Sequence, residues 1–238
     1  MSPPARPANH GFRKMRRIAG IAFDKVAWAI DRIFDVRRGA DTSAVIQNSD
    51  LNIGPRSPHA GRYEPTPSNA FKRVLLHLPI DPADFVFLDY GSGMGRTLLL
   101  ASEYSFAEII GVELSEKLHR IAQRNLATCR SRSQRCFNRR SVWADAAEYN
   151  PPDVNLVVYA FNPFDHTVLA RVLKKIEAVA ARRAVYFIYL EAKHARLLDA
   201  SRAFPYKLSI PLPRMLCRRP GSISSLLLYS NRPLLPAH

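Results

Sequence analysis

Two hydrophobic rhythms alternate along this chain. Short, near-continuous apolar runs occur at Phe85-Val86-Phe87-Leu88, Ala107 to Leu114, Val154 to Phe161 and Ala184 to Leu190. Such runs, rich in β-branched and aromatic residues, suit strands covered on both faces. Between them the apolar residues recur at three- and four-residue steps. Ser68 caps one such stretch, Asn69 to Leu78, with Phe71, Val74, Leu75 and Leu78 on its buried face. Arg96 to Ser102 reads as a second helix. Ser115 caps a third, to about Ala127, striped by Leu118, Ile121, Ala122 and Leu126. Asp165 starts a fourth, striped by Val168, Leu169, Val172, Leu173 and Ile176, and Glu191 to Leu198 reads as a fifth. Tyr206 to Leu212 and Ser222 to Tyr229 read as two last strands. Strands alternating with helices predict an α/β fold around a parallel sheet.

The first 61 residues follow another pattern. Met1 to His10 is rich in Pro and Ala, which predicts disorder. Over Gly11 to Arg38 a stripe of Ile18, Ile21, Phe23, Val26, Ile30, Ile33, Phe34 and Val36 predicts one amphipathic helix, or two. Its basic front suits a membrane surface, whereas Asp24, Asp31 and Asp35 favour packing on the downstream domain. Gly39 to Ser68 is polar and broken by Gly54-Pro55, Pro58, Pro65 and Pro67, so it reads as an irregular connection. A long connection of this kind is either a binding lid or a proline-stiffened turn. The division expected is an N-terminal helical extension and linker at 1–61, followed by one domain at 62–238.

Composition narrows the function classes. The chain has 238 residues, 47% of them hydrophobic, which is enough for a sizeable core. Its three cysteines, Cys129, Cys136 and Cys217, form no C-x-x-C pair and leave one over, which fits a reducing cytoplasm and implies no metal. No apolar run approaches the roughly 20 residues of a membrane span. The net charge of +15 would attract nucleic acid, anionic lipid or an acidic protein, or serve solubility alone. The stretch Arg130 to Arg140 reads as a solvated basic loop or a phosphate-contacting patch.

The chemistry concentrates after the first strand, where Asp89 precedes Gly91, Gly93 and Gly95 and a helix follows. Strand, glycine turn and helix bring backbone N–H groups up to a nucleotide-like ligand. The third glycine comes one position too early for the dinucleotide fingerprint, and Arg96 stands where that pattern wants Gly or Ala. Glu113 ends the second strand about 20 residues past Gly93, where an open α/β sheet places the acid that accepts from ribose hydroxyls. Asp145 and Ala146 follow the Ser141-Val142-Trp143 run, and the strand Val154 to Phe161 ends in Asn162-Pro163-Phe164-Asp165.

Asp-x-Gly-x-Gly-x-Gly followed by these acids resembles class I S-adenosylmethionine (SAM) dependent methyltransferases, from about Arg62 to the C-terminus. The Arg-Tyr-Glu-Pro-Thr-Pro segment and Phe-Asn-Pro-Phe resemble those of a large bacterial group within them. The resemblance implies a doubly wound, mostly parallel seven-stranded sheet with the last strand antiparallel. It implies SAM as cofactor, with Asp89, Gly91, Ser92, Gly93 and Gly95 at its methionine–ribose end. Glu113 then holds ribose, Asp145 and Ala146 adenine, and Tyr63 and Thr66 cover it. Asn162 and Phe164 would face the methyl acceptor, because Asn-Pro-Phe is similar to, and one proline shorter than, the motif of enzymes that methylate nitrogen. A protein side chain or small molecule is the acceptor expected, with RNA or DNA, or a silent binding module, as alternatives.

Overall fold

The computed structural model describes residues 29–51, 53, 62–212 and 226–234. Its strands are β1 (Val86–Tyr90), β2 (Glu108–Glu113), β3 (Arg139–Trp143), β4 (Leu156–Phe161), β5 (Val185–Leu190), β6 (Tyr206–Ile210) and β7 (Leu226–Ser230). They form one sheet in the order β3-β2-β1-β4-β5-β7-β6. β3, β2, β1, β4 and β5 are mutually parallel, and β7 inserts antiparallel between β5 and β6. This is the doubly wound, mostly parallel seven-stranded sheet expected, with its last strand antiparallel.

The helices are α1 (29–38), α2 (Ser68–Leu75), α3 (Arg96–Ala101), α4 (Glu116–Thr128), α5 (His166–Ala180) and α6 (Ala195–Asp199). Every residue of β1, β5 and β7 is buried, so the sheet separates two apolar layers. In one, Phe71 and Val74 of α2 and Leu98 and Leu99 of α3 pack with Phe87 and Tyr159. In the other, Leu169, Val172, Leu173 and Ile176 of α5 pack with Leu88 and Tyr90. Adjacent residues of β1 thus serve opposite layers, as the two-residue strand period requires.

Several elements depart from their expected detail. Ser68 is the first residue of α2, not its cap; Pro67 holds the cap position, and the Ser68 hydroxyl takes a guanidinium N–H of Arg96 at 3.3 Å. Leu78 is buried but lies past the helix end. The expected helix from Glu191 begins only at Ala195, because Glu191 adopts φ +49°, a left-handed turn after β5. Ser115 and Asp165 do cap: Ser115 Oγ accepts from Leu118 N, and Asp165 Oδ1 accepts from Thr167 N and Val168 N.

The face of α1 reverses expectation most. Asp31, Phe34 and Asp35 are buried, while Ile30, Ile33 and Val36 are 50–73% exposed. The helix docks through paired charge, not its aliphatic stripe. The expectations for residues 1–28, the turns at 54–61, Cys217 and the start of the last strand lie outside the described residues.

Candidate active site

A cavity of about 360 Å³ opens where the C-terminal ends of β1, β2 and β4 meet the 62–66 segment. In open α/β sheets ligands bind at this edge, where crossovers part to either side. The volume falls in the usual range for small-molecule sites. Of the residues expected there, Tyr63, Thr66, Asp89, Gly91, Ser92, Gly93, Glu113, Asp145, Ala146 and Phe164 line it. Gly95 and Asn162 do not.

The bend after β1 needs glycine at two points for two reasons each. Gly91 has φ +79°, and a Cβ there would sit 2.4 Å from Pro163 Cβ. Gly93 has φ +54°, and its Cβ would sit 2.2 Å from the Tyr63 ring. Any side chain would both strain the backbone and fill the cradle. Gly95 works elsewhere: its Cα faces Ala122 of α4, so it lets two helices approach.

Glu113 is held in place by main-chain donors. Its Oε2 accepts from Gly93 N at 2.8 Å and its Oε1 from Ser115 N at 2.8 Å. Each oxygen keeps a lone pair for a ligand hydroxyl. Burial raises its pKa, opposed by the N–H groups of Ser115, Gly93 and Leu114. Asp89 accepts from the Thr97 hydroxyl and is 2% exposed. Burial pushes its pKa up to about 7, with the Thr97 hydrogen bond pulling down and the Glu113 charge adding upward. Among the described residues no lysine or arginine pairs with either carboxylate. Two acids without a cation suit a ligand that brings its own positive charge and a diol.

Asp145 turns the chain after β3, its Oδ1 accepting from Ala147 N at 2.9 Å. Ala144 N donates to Glu113 O at 3.0 Å, which ties that turn to the end of β2. Ser92 Oγ is buried without a hydrogen-bond partner among the described residues, as is Tyr90 Oη, which lies outside the cavity lining. Ser92 lines the cavity, and an orphaned hydroxyl in a cavity wall fits a site built for a polar ligand.

The 62–66 segment is fixed from outside. The Tyr63 hydroxyl donates to Thr42 O at 2.8 Å, and Thr66 Oγ1 lies 3.0 Å from Tyr159 Oη. Phe164 packs edge-on against Tyr90, their ring centroids 6.5 Å apart. Asn162 adopts φ +39°, and its Oδ1 accepts from the Tyr189 hydroxyl at 3.4 Å, away from the cavity. Its left-handed turn delivers Pro163 and Phe164 to the wall instead. Pattern reading missed Thr97, Tyr159 and Pro163 as lining residues, and Arg96 as an anchor. Only Arg96 left a signal, as a charged residue in a position that glycine motifs fill with something small.

Residues 62–141 match the family model described as "Histone methylation protein DOT1". No curated protein sequence matches the chain. Among solved structures, a Leishmania major SAM-dependent methyltransferase of the DUF858 family is similar at 14% identity and TM-score 0.49, covering 71% of each chain. The 23S rRNA methyltransferase ErmE is similar at 13% identity and TM-score 0.48, over 70% of this chain and 66% of that one. An RNA methyltransferase from Salinibacter ruber, in complex with S-adenosyl-L-homocysteine, is similar at 17% identity and TM-score 0.43, over 70% of this chain and 91% of that one.

Proposed function

We propose that this chain, a SAM-dependent methyltransferase of the class I fold, methylates a nitrogen of a protein side chain or small molecule, with the cofactor in the cavity at the ends of β1, β2 and β4. The observation that carries the placement is the pair of buried, cation-free carboxylates, Asp89 and Glu113, beside a bend that only glycine can make. When bound, SAM supplies a methyl carbon on a positively charged sulfur, open to displacement by an amine lone pair.

In this reading Asp89 holds the ammonium of the methionine portion, and Glu113 accepts from both ribose hydroxyls through its free lone pairs. Asp145 accepts from the adenine amine and Ala146 offers its backbone N–H beside it. Tyr63 and Thr66 cover the methionine end and exclude water. Phe164 and Pro163 wall the acceptor side, and Asn162 acts there through its backbone turn. The protein's contribution is alignment and desolvation. Support for a protein nitrogen comes from the description of the matching family model, which names histone methylation. That match ends at residue 141, before the Asn162–Phe164 turn.

Calorimetry with S-adenosylhomocysteine and NAD side by side tests the cofactor. Binding of the first alone is expected, and Glu113→Ala should weaken it by about 1–3 kcal/mol, the scale of lost charge-assisted hydrogen bonds. Labelled methyl donor incubated with fractionated extract then reports the acceptor; label in RNA or lipid would overturn the protein or small-molecule reading.

One observation favours nucleic acid as the acceptor instead. Arg37, Arg130, Arg132 and Arg139 surround a surface depression of about 830 Å³ beside Phe137, which is 77% exposed. Arginine forks suit phosphodiesters. Under this reading, RNA affinity falls linearly on a log–log plot against salt, and the slope loses about one unit per arginine replaced.

A further inference from the structure

Arg96 is the largest fully buried side chain among the described residues, at 2% exposure, and its partners come from three separate stretches. Its Nη2 donates to Asp31 Oδ1 at 2.5 Å and to Ser68 Oγ at 3.3 Å. Its Nη1 donates to Thr42 Oγ1 at 3.1 Å and lies 3.8 Å from Asp35 Oδ1. Its Nε donates to the carbonyl of Thr66 at 3.0 Å, and the Phe34 ring centroid lies 4.2 Å from the guanidinium carbon. The arginine itself follows directly on the glycine bend.

We infer that helix α1 is part of the cofactor site: through Arg96 it positions the 62–66 segment against the methionine end of the cavity, with Asp31, Asp35 and Thr42 as the positioning residues. The inference deepens the proposed function and rests on the cofactor placement made there.

The path of contacts is continuous. Asp35 accepts from Thr42 N at 2.8 Å and from Thr42 Oγ1 at 2.6 Å, which fixes the chain leaving α1. The Thr42 carbonyl accepts from the Tyr63 hydroxyl, and the Tyr63 ring lies against Gly93. Ile46 and Tyr63 exchange backbone hydrogen bonds of 3.1 and 2.9 Å, so the two segments run as one short ribbon. At the far end Thr66 meets Tyr159, whose Cα is the registered partner of Asp89 on β1. α1 therefore reaches both ends of the covering segment, at Tyr63 by way of Thr42 and at Thr66 by way of Arg96.

The energetics make the coupling strong. A guanidinium taken out of water costs several kcal/mol unless carboxylates meet it. Here the carboxylates sit on α1, whose aliphatic residues Ile30, Ile33 and Val36 face outward. Docking of α1 and burial of Arg96 are one event. A buried pair is also little screened by salt.

The test uses the full chain with Asp31→Asn and Thr42→Val, measured by calorimetry with two nucleosides and by thermal melting. S-adenosylhomocysteine carries the amino-acid portion, and 5′-methylthioadenosine lacks it. Both variants are expected to weaken S-adenosylhomocysteine about tenfold and to leave methylthioadenosine within about twofold of wild type. Should Asp31→Asn fail to fold, Thr42→Val decides, because it removes only the two hydrogen bonds of the Thr42 hydroxyl and leaves Asp35 the one from Thr42 N. Equal losses for both nucleosides, as general loosening would produce, overturn the clasp. So does unchanged S-adenosylhomocysteine binding in a folded variant. Wild-type protein that binds neither nucleoside would instead overturn the functional reading, and the clasp with it.

Discussion

Asp89 is a carboxylate held where charge is hard to keep, and its pH behaviour follows. Its pKa rises from 3.8 to about 7 on folding, chiefly through burial. The folded state then binds a proton that the unfolded state has released. The stability from this group is full below pH 4 and is lost as pH rises to about 7. The ammonium of the ligand's amino-acid portion is held by the ionised form, so S-adenosylhomocysteine affinity should climb over pH 6 to 8. Asp89→Asn should flatten that climb in calorimetry at each pH. At Gly93, alanine would drive a methyl into the Tyr63 ring from a backbone with positive φ, so Gly93→Ala should weaken the same ligand more than about tenfold, read by titration beside a melting curve. The acids and the first two glycines were legible in the sequence because backbone geometry fixes their spacing. Gly95 belongs to the same run, yet it serves helix packing against Ala122. Asn162 was read toward the cavity because spacing carries no side-chain direction; its left-handed turn and the Tyr189 hydroxyl set that.

Among the elements, strands and long helices followed their hydrophobic periods, and caps marked the starts of α4 and α5. Asp165 takes two N–H groups at the start of α5, so Asp165→Ala should cost about 1 kcal/mol in denaturant unfolding with no change in slope. Short elements were less legible. α6 starts late because Glu191 turns left-handed, which no local pattern announces. α1 was legible as a helix but not by face. Its aliphatic stripe dominates the period, while the buried guanidinium that recruits Asp31 and Asp35 stands some 60 residues further on in the chain. Pairing across that distance is invisible to a window of one helix.

At the scale of the molecule, four strand–helix alternations gave a parallel sheet, whereas the order of the last two strands came through family resemblance. β5, β6 and β7 are each short, and nothing in their residues alone says that β7 enters the middle. No helix among the described residues is long and apolar enough to cross a membrane. Charge is the global property that the fold leaves unspent: the arginines around the depression between α1 and the α4–β3 loop lie apart from the cavity.

The late arrival of β7 has a consequence for synthesis on the ribosome. β6 reaches the sheet only through β7, whose register on β5 pairs Leu190 with Leu226. Until residue 230 has emerged, β5 presents a bare margin of aliphatic and aromatic residues, Val185 to Leu190. Such a margin templates pairing between chains. A chain halted at residue 212 should therefore sediment with insoluble material when expressed, while the intact chain stays in the supernatant. A soluble, monomeric product of that length would show that the margin is guarded by something other than the final strand.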